Sequence, residues 1–148
     1  MRILFLAQYE LPHMGGVERH LEDTKRSLNE KGHKTVVISE RDIEYPHIKL
    51  LGLLYIWFWL FKSRKLIEQT DVVHCHDVFI WYLPFRFLYP KKPVYTTFHG
   101  WESVWPIPLK NILLKKLAAK LSWGTIAVGR YIEKYYGIKA DKIIYGAA

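Results

Sequence analysis

The stretch Met1–Gly32, MRILFLAQYELPHMGGVERHLEDTKRSLNEKG, decides how this chain is read. Ile3 to Ala7 is an unbroken apolar run, the pattern of a strand buried on both faces of a sheet. A loop follows that ends in Gly15-Gly16, and then Val17, Leu21, Thr24 and Leu28 recur at helical spacing to make one buried stripe. Gly32 stands where such a helix stops, because glycine takes the left-handed cap geometry without strain. Glycines just ahead of a helix let backbone N–H groups approach a ligand, and the helix dipole favours negative charge there. Gly15 and Gly16 therefore suit a phosphate or another anionic group, and they serve equally well as a plain turn. Neither GxGxxG nor GxxxxGK[ST] is present, so neither a dinucleotide fingerprint nor a P-loop is indicated.

The same alternation continues outward from this unit. Lys34–Ser39 reads as a second buried strand, and strand, helix, strand in that order implies a right-handed parallel crossover. Further strands are expected at Asp71–His76, Val94–His99, Thr125–Val128 and Lys142–Tyr145. Helices are expected over Leu50–Ile67, over Val78–Tyr89 with a break near Pro84, over Leu109–Ser122 and over Arg130–Tyr136. Pro46 makes Arg41–Leu50 an edge strand or a loop, and Trp101–Pro108, with its two prolines, a loop. Strands and helices in this order give an α/β fold, a three-layer sandwich around a mostly parallel sheet.

At 148 residues the chain forms one domain large enough for a hydrophobic core. Half of its residues are apolar, which excludes a disordered chain. Cys75 is the lone cysteine, so there is no disulfide framework and a reducing compartment is the default. The first apolar run is too short for a signal peptide. A net charge of +8 invites an anionic partner, yet the cations are spread along the chain and no nucleic-acid-binding motif accompanies them. Nucleic acid is therefore not expected as a partner.

Leu50–Ile67 is the most apolar stretch, and its uncharged part is too short to cross a bilayer. Tyr55, Trp57, Phe58, Trp59 and Phe61 run directly into Lys62, Arg64 and Lys65, a composition suited to a membrane interface. Burial against the sheet or a partner domain accounts for the same residues. Leu109–Ser122 is expected to bury Leu109, Ile112, Leu113, Leu117 and Leu121 and to leave its lysines, Lys115 among them, mostly on the other side.

In a parallel sheet, ligands collect at the carboxyl ends of the strands. Those ends lead here to Gly15-Gly16, His76-Asp77, His99-Gly100 and Gly129-Arg130. His74 and His76 share a face of their strand with Cys75 opposite. With Asp77 and His99 they are a conceivable metal set, but no helix offers a matching ligand pair and none is expected. His74 reads as a core histidine. His99, at a strand end before a glycine, is available to bind or polarise a substrate.

The motifs GGVERHL (Gly15–Leu21), KGH (Lys31–His33), DVVHCHD (Asp71–Asp77), TTFHG (Thr96–Gly100), IAVG-RYI (Ile126–Ile132) and KIIYGA (Lys142–Ala147) occur in this order. Together they resemble the N-terminal domain of family 4 glycosyltransferases. The resemblance implies one Rossmann-like half of a GT-B fold, in which the N-terminal domain shapes the acceptor site and a second domain holds most of the nucleotide-sugar donor. It implies transfer with retention of anomeric configuration and no metal or other cofactor. Carried over by motif, His99 would be the catalytic residue beside the donor sugar, and Gly15 and Gly16 would face the donor diphosphate. His20, His76 and Asp77 would line the acceptor side, and Gly100, Glu102, Gly129 and Arg130 the rest of the cleft. Gly129 stands where relatives commonly carry serine.

Residues 1–148 are thus expected to be the acceptor-side domain, with the donor-binding domain outside this sequence and the isolated chain inactive. The expected partners are a C-terminal Rossmann-like donor domain, from the same gene or a separate chain, a sugar or lipid-linked acceptor, and an anionic membrane surface. The expected location is the cytoplasm, including the inner face of the membrane. The alternatives are a non-catalytic module that binds a membrane surface or an anionic ligand, and a metal-dependent hydrolase built on His74, His76, Asp77 and His99.

Overall fold

A computed structural model describes residues 1–7, 16–45, 49–99 and 109–144. Six strands, β1 (Arg2–Ala7), β2 (Lys34–Ile38), β3 (Val72–His76), β4 (Val94–Phe98), β5 (Gly124–Val128) and β6 (Lys142–Ile144), form one sheet in the order β2-β1-β3-β4-β5-β6. Every pairing is parallel. After β1 the chain steps to one side for β2 and then crosses to the other side for β3. The winding therefore reverses between β1 and β3, where Ala7 pairs with His76. That reversal opens a crevice at the carboxyl edge.

Side-chain alternation sorts the core into two layers. Ile3, Phe5 and Ala7 of β1 pack with Leu21 and Leu28 of α1 (Gly16–Glu30) on one face. Leu4 and Leu6, with Val73 and Cys75 of β3 and Phe98 of β4, face the opposite layer. That layer comprises α3 (Lys49–Lys62), α4 (Arg64–Gln69), α5 (Phe79–Leu88), α6 (Leu109–Leu121) and α7 (Tyr131–Tyr136). The result is the α/β three-layer sandwich expected from the sequence.

Four elements differ from the sequence reading, the first being the expected helix Leu50–Ile67, which is divided at Ser63 into α3 and α4. The segment after β2 is neither strand nor plain loop, because Ser39 and Asp42 form a capping box that starts the one-turn helix α2 (Glu40–Ile43). The helix α5 runs through Pro84 without ending there, since packing of Trp81, Tyr82 and Phe85 in the core outweighs the lost backbone bond. In α6 the buried residues are Lys115 and Ala118, while Leu109 and Leu113 are exposed. Ile112, Leu117 and Leu121 are half-buried and Lys110, Lys116 and Lys120 exposed, as expected, so the difference lies in Leu109 and Leu113 and in Lys115, which its ion pair with Asp77 draws inward. The expected loop 101–108 lies outside the described residues.

Within α3, Ile56 and Leu60 are buried, and the Trp57 indole N–H donates to the carbonyl of Ile80 at 2.8 Å, tying α3 to α5. Leu50, Leu54, Phe58 and Phe61 point outward on the other side. The apolar run is thus divided between core and surface.

Candidate active site

The carboxyl ends of β1, β3, β4 and β5 are neighbours in the sheet, so the residues that follow them share one edge. α1 leads from the carboxyl end of β1 to the amino end of β2, which puts Gly16 at the same edge as His76, Asp77, His99, Gly129 and Arg130. Gly15, Gly100 and Glu102 lie outside the described residues, as does the side chain of His20 on α1.

Strand register brings three imidazoles together on the face that carries α1. His74 pairs with Phe5 and Tyr95, and His76 with Ala7 and Thr97. The rings of His74 and His76 stack with centroids 4.5 Å apart, and His76 and His99 stack at 5.2 Å. The His76 Nδ1 and His99 Nε2 atoms lie 2.9 Å apart, and His74 Nε2 lies 2.6 Å from the Thr97 hydroxyl. One imidazole of the His76–His99 pair donates and the other accepts, so a single proton bridges them and the orientation of the His99 ring is set by His76. His74 is half-buried beneath this pair, against Phe5 at 5.4 Å.

A second set of contacts holds the backbone of His99. Asp77 adopts φ +60, a left-handed conformation that aspartate tolerates better than most residues. Its backbone N–H donates to the Thr97 carbonyl at 3.1 Å. Its carboxylate accepts the His99 backbone N–H at 2.7 Å on one oxygen and the Lys115 ammonium at 3.0 Å on the other. Lys115 reaches in from α6, buried, with its ammonium 4.8 Å from the Tyr136 ring centroid and 5.7 Å from that of Phe98. An aspartate in a sparsely populated conformation persists where its surroundings over-determine it, and such residues concentrate at functional sites.

Next along the edge, Gly129 is buried with φ +107, a conformation that excludes a β-carbon without strain. Glycine is therefore the residue that this backbone conformation favours. Arg130, exposed, immediately precedes α7. Among the described residues, no group of three His, Cys, Asp or Glu side chains is arranged to hold a metal ion. His76 and His99 turn ring nitrogens toward each other instead of toward a common point. Cys75 faces the opposite layer, where burial pushes its thiol well above the ordinary range.

Sequence reasoning grouped His99 with His74, His76 and Asp77 as a conceivable metal set and not as the hydrogen-bonded arrangement found here, and it missed Lys115 and Thr97 as members of the site. The available signal for Lys115 was Ala118, a small residue three positions on and therefore on the same close-packed side of the helix.

An all-parallel sheet with helices on both faces, a winding reversal, and polar residues gathered at its carboxyl edge define one Rossmann-like half of a GT-B fold. Residues 14–145 match the model of Glycosyltransferase Family 4, and the chain belongs to that family. Similar solved structures are an alpha-glucosyltransferase in complex with UDP-glucose and DNA containing an abasic site (13% identity, TM-score 0.56, 97% of this chain and 41% of that one). Another is an alpha-glucosyltransferase in complex with UDP and a 13-mer DNA containing a central A:G mismatch (13% identity, TM-score 0.59, 91% and 39%). A third is an alpha-glucosyltransferase in complex with UDP (12% identity, TM-score 0.53, 97% and 43%). The chain thus spans about two fifths of the length of these structures. No curated protein sequence matches it.

Proposed function

We propose that this chain is the acceptor-side domain of a retaining glycosyltransferase, which moves a sugar from a nucleotide-sugar donor supplied by a second Rossmann-like domain. Family membership supports glycosyl transfer, and the observation that carries the finer reading is the clamped His99 at the sheet's carboxyl edge. Breaking the sugar–phosphate bond leaves negative charge on a diphosphate. On this reading backbone N–H groups of Gly15, Gly16 and the start of α1 stabilise that charge, an effect that is strongest in a site that excludes water. His99, held by His76 through its ring and by Asp77 through its backbone, faces the donor sugar as positive charge develops there. His20, His76 and Asp77 line the acceptor side, with Gly100, Glu102, Gly129 and Arg130 completing the cleft. The chemistry asks for no metal, because the backbone dipoles do the work of a cation at the leaving group.

On this reading the chain by itself turns over little or nothing, since the donor-binding half of the cleft comes from the second domain. Its acceptor is a sugar or a lipid-linked sugar, and the enzyme works in the cytoplasm at the inner face of the membrane. The DNA in the similar structures is a ligand of those proteins. It makes a nucleic-acid acceptor the competitor to test.

The test is sugar transfer by the protein joined to or mixed with its donor-binding domain, across a panel of nucleotide sugars and with lipid-linked, free-sugar and DNA acceptors. Transfer with the anomeric configuration retained is expected. Transfer at full rate by the 148-residue chain alone, or none with any donor, overturns the reading.

A further inference from the structure

The sheet separates the charges and the exposed apolar side chains of this protein onto opposite faces. The sequence of α1, on one face, holds four carboxylates against three cations. On the other face the sequences of α3 to α7 hold ten cations against two carboxylates, Glu68 and Glu133. Lys115 is neutralised by Asp77, which leaves the excess on the outer surface of the layer. No Asp or Glu occurs between Glu44 and Glu68, the stretch that contains all of α3.

That same layer carries exposed apolar groups in one stripe. Leu50, Leu54, Phe58 and Phe61 of α3 are 48–64% exposed, spaced by four, four and three residues, and therefore aligned on the side away from Ile56 and Leu60. Phe87 and Leu88, 65% and 51% exposed, lie at the end of the neighbouring α5. Lys62 and Arg64 close the stripe, their cationic groups 5.2 Å and 4.7 Å from the ring centroids of Phe58 and Phe61. Lys65 is exposed beside them.

We propose that the outer face of α3, closed by Lys62, Arg64 and Lys65 and extended by Phe87 and Leu88, is a docking surface for an anionic lipid bilayer. Among the described residues no helix is long and apolar enough to cross a membrane, so α3 lies in the plane of the interface. Its apolar side chains enter the acyl boundary, and the cations meet lipid phosphates at the rim. Two features favour a bilayer over other occupants. A protein interface is depleted of lysine at its core, whereas this stripe ends in the cations Lys62, Arg64 and Lys65 against one nearby carboxylate, Glu68, which already accepts the Tyr89 hydroxyl, so the cluster keeps a net positive charge. A phosphate backbone would use the cations but leave a row of leucine and phenylalanine facing water. α3 begins at the sheet edge that holds His99, so a lipid-linked acceptor in that bilayer stands beside the candidate site. This last clause rests on the proposed function, and the docking itself does not.

The test is cosedimentation of the chain with sucrose-loaded vesicles of phosphatidylcholine, alone or with roughly a third phosphatidylglycerol, at low and high salt. Binding to the anionic vesicles is expected to exceed binding to the neutral ones by at least about tenfold and to weaken with salt. Replacing Lys62, Arg64 and Lys65 together by serine is expected to lower it about 100-fold. Phe58→Ser with Phe61→Ser lowers it about tenfold or more. Both variants keep the wild-type circular dichroism and melting temperature, because the altered side chains are exposed. Arg19→Ser with Arg26→Ser, on α1, leaves vesicle binding unchanged.

Equal binding to neutral and anionic vesicles, no binding, or an equal loss in the α1 variant overturns the proposal. So does a lipid-free dimer that Phe58→Ser with Phe61→Ser dissolves, which assigns the face to a second copy, or retention of a short DNA duplex without vesicle binding. Vesicle binding is read without catalysis. Docking that survives in a protein unable to transfer sugar removes the proposed function and keeps the surface.

Discussion

Lys115 and Asp77 stand thirty-eight residues apart in the chain and meet at 3.0 Å, where the same carboxylate also holds the backbone N–H of His99. The ammonium side chain is 8% exposed and the carboxylate 25%, so the pair is largely withdrawn from water. Removing one partner of such a pair strands the other. Lys115→Met is expected to cost about 2–4 kcal/mol in urea unfolding, whereas Lys116→Met and Lys120→Met, both exposed, stay within about 0.5 kcal/mol. If all three cost the same, the ion pair holds nothing in place.

His99 and His76 are expected to separate function from stability. In the protein completed by its donor-binding domain, His99→Ala lowers turnover about 100-fold or more and stability by only about 1 kcal/mol. His76→Gln acts through the ring it orients, so kcat falls by about tenfold to 100-fold while KM for the donor changes little. Parallel losses of activity and melting temperature in both variants would make the imidazole pair structural.

Gly129→Ser is expected to destabilise the chain by about 1–3 kcal/mol, because φ +107 leaves no unstrained place for a β-carbon. A variant as stable as the wild type would mean that this turn relaxes freely.

Cys75 is expected to resist thiol reagents in the folded chain. Burial pushes its thiol up and closes the path to it, so at about pH 8 iodoacetamide labels it only after urea is added. Mass spectrometry of native and unfolded samples reads the outcome directly. Rapid native labelling would show that β3 opens.

Much of the fold was legible from single stretches because it depends on local pattern. Ile3–Ala7 announces a doubly buried strand wherever it sits, and Val17, Leu21 and Leu28 give a helix its buried side without reference to any partner. Alternation along β3 likewise told that His74 and His76 share a face with Cys75 opposite. The proline rules misled at α5, where core contacts of Trp81, Tyr82 and Phe85 carry the helix past Pro84. After β2 the capping pair Ser39 and Asp42 was the better guide to the turn of helix at Glu40–Ile43, while Pro46 lies outside the described residues.

What the sequence by itself determined was the order of buried strands and helices, and with it the class of fold and the edge that carries the candidate site. Each of these follows from the spacing of neighbouring residues along the chain. Only the tertiary structure decided the strand order that sets β3 beside β1, the ring contact of His76 with His99, the inward turn of Lys115, and the sorting of charge between the sheet's two faces. Those arise between residues far apart in sequence, and packing, not local preference, chooses which distant side chains meet.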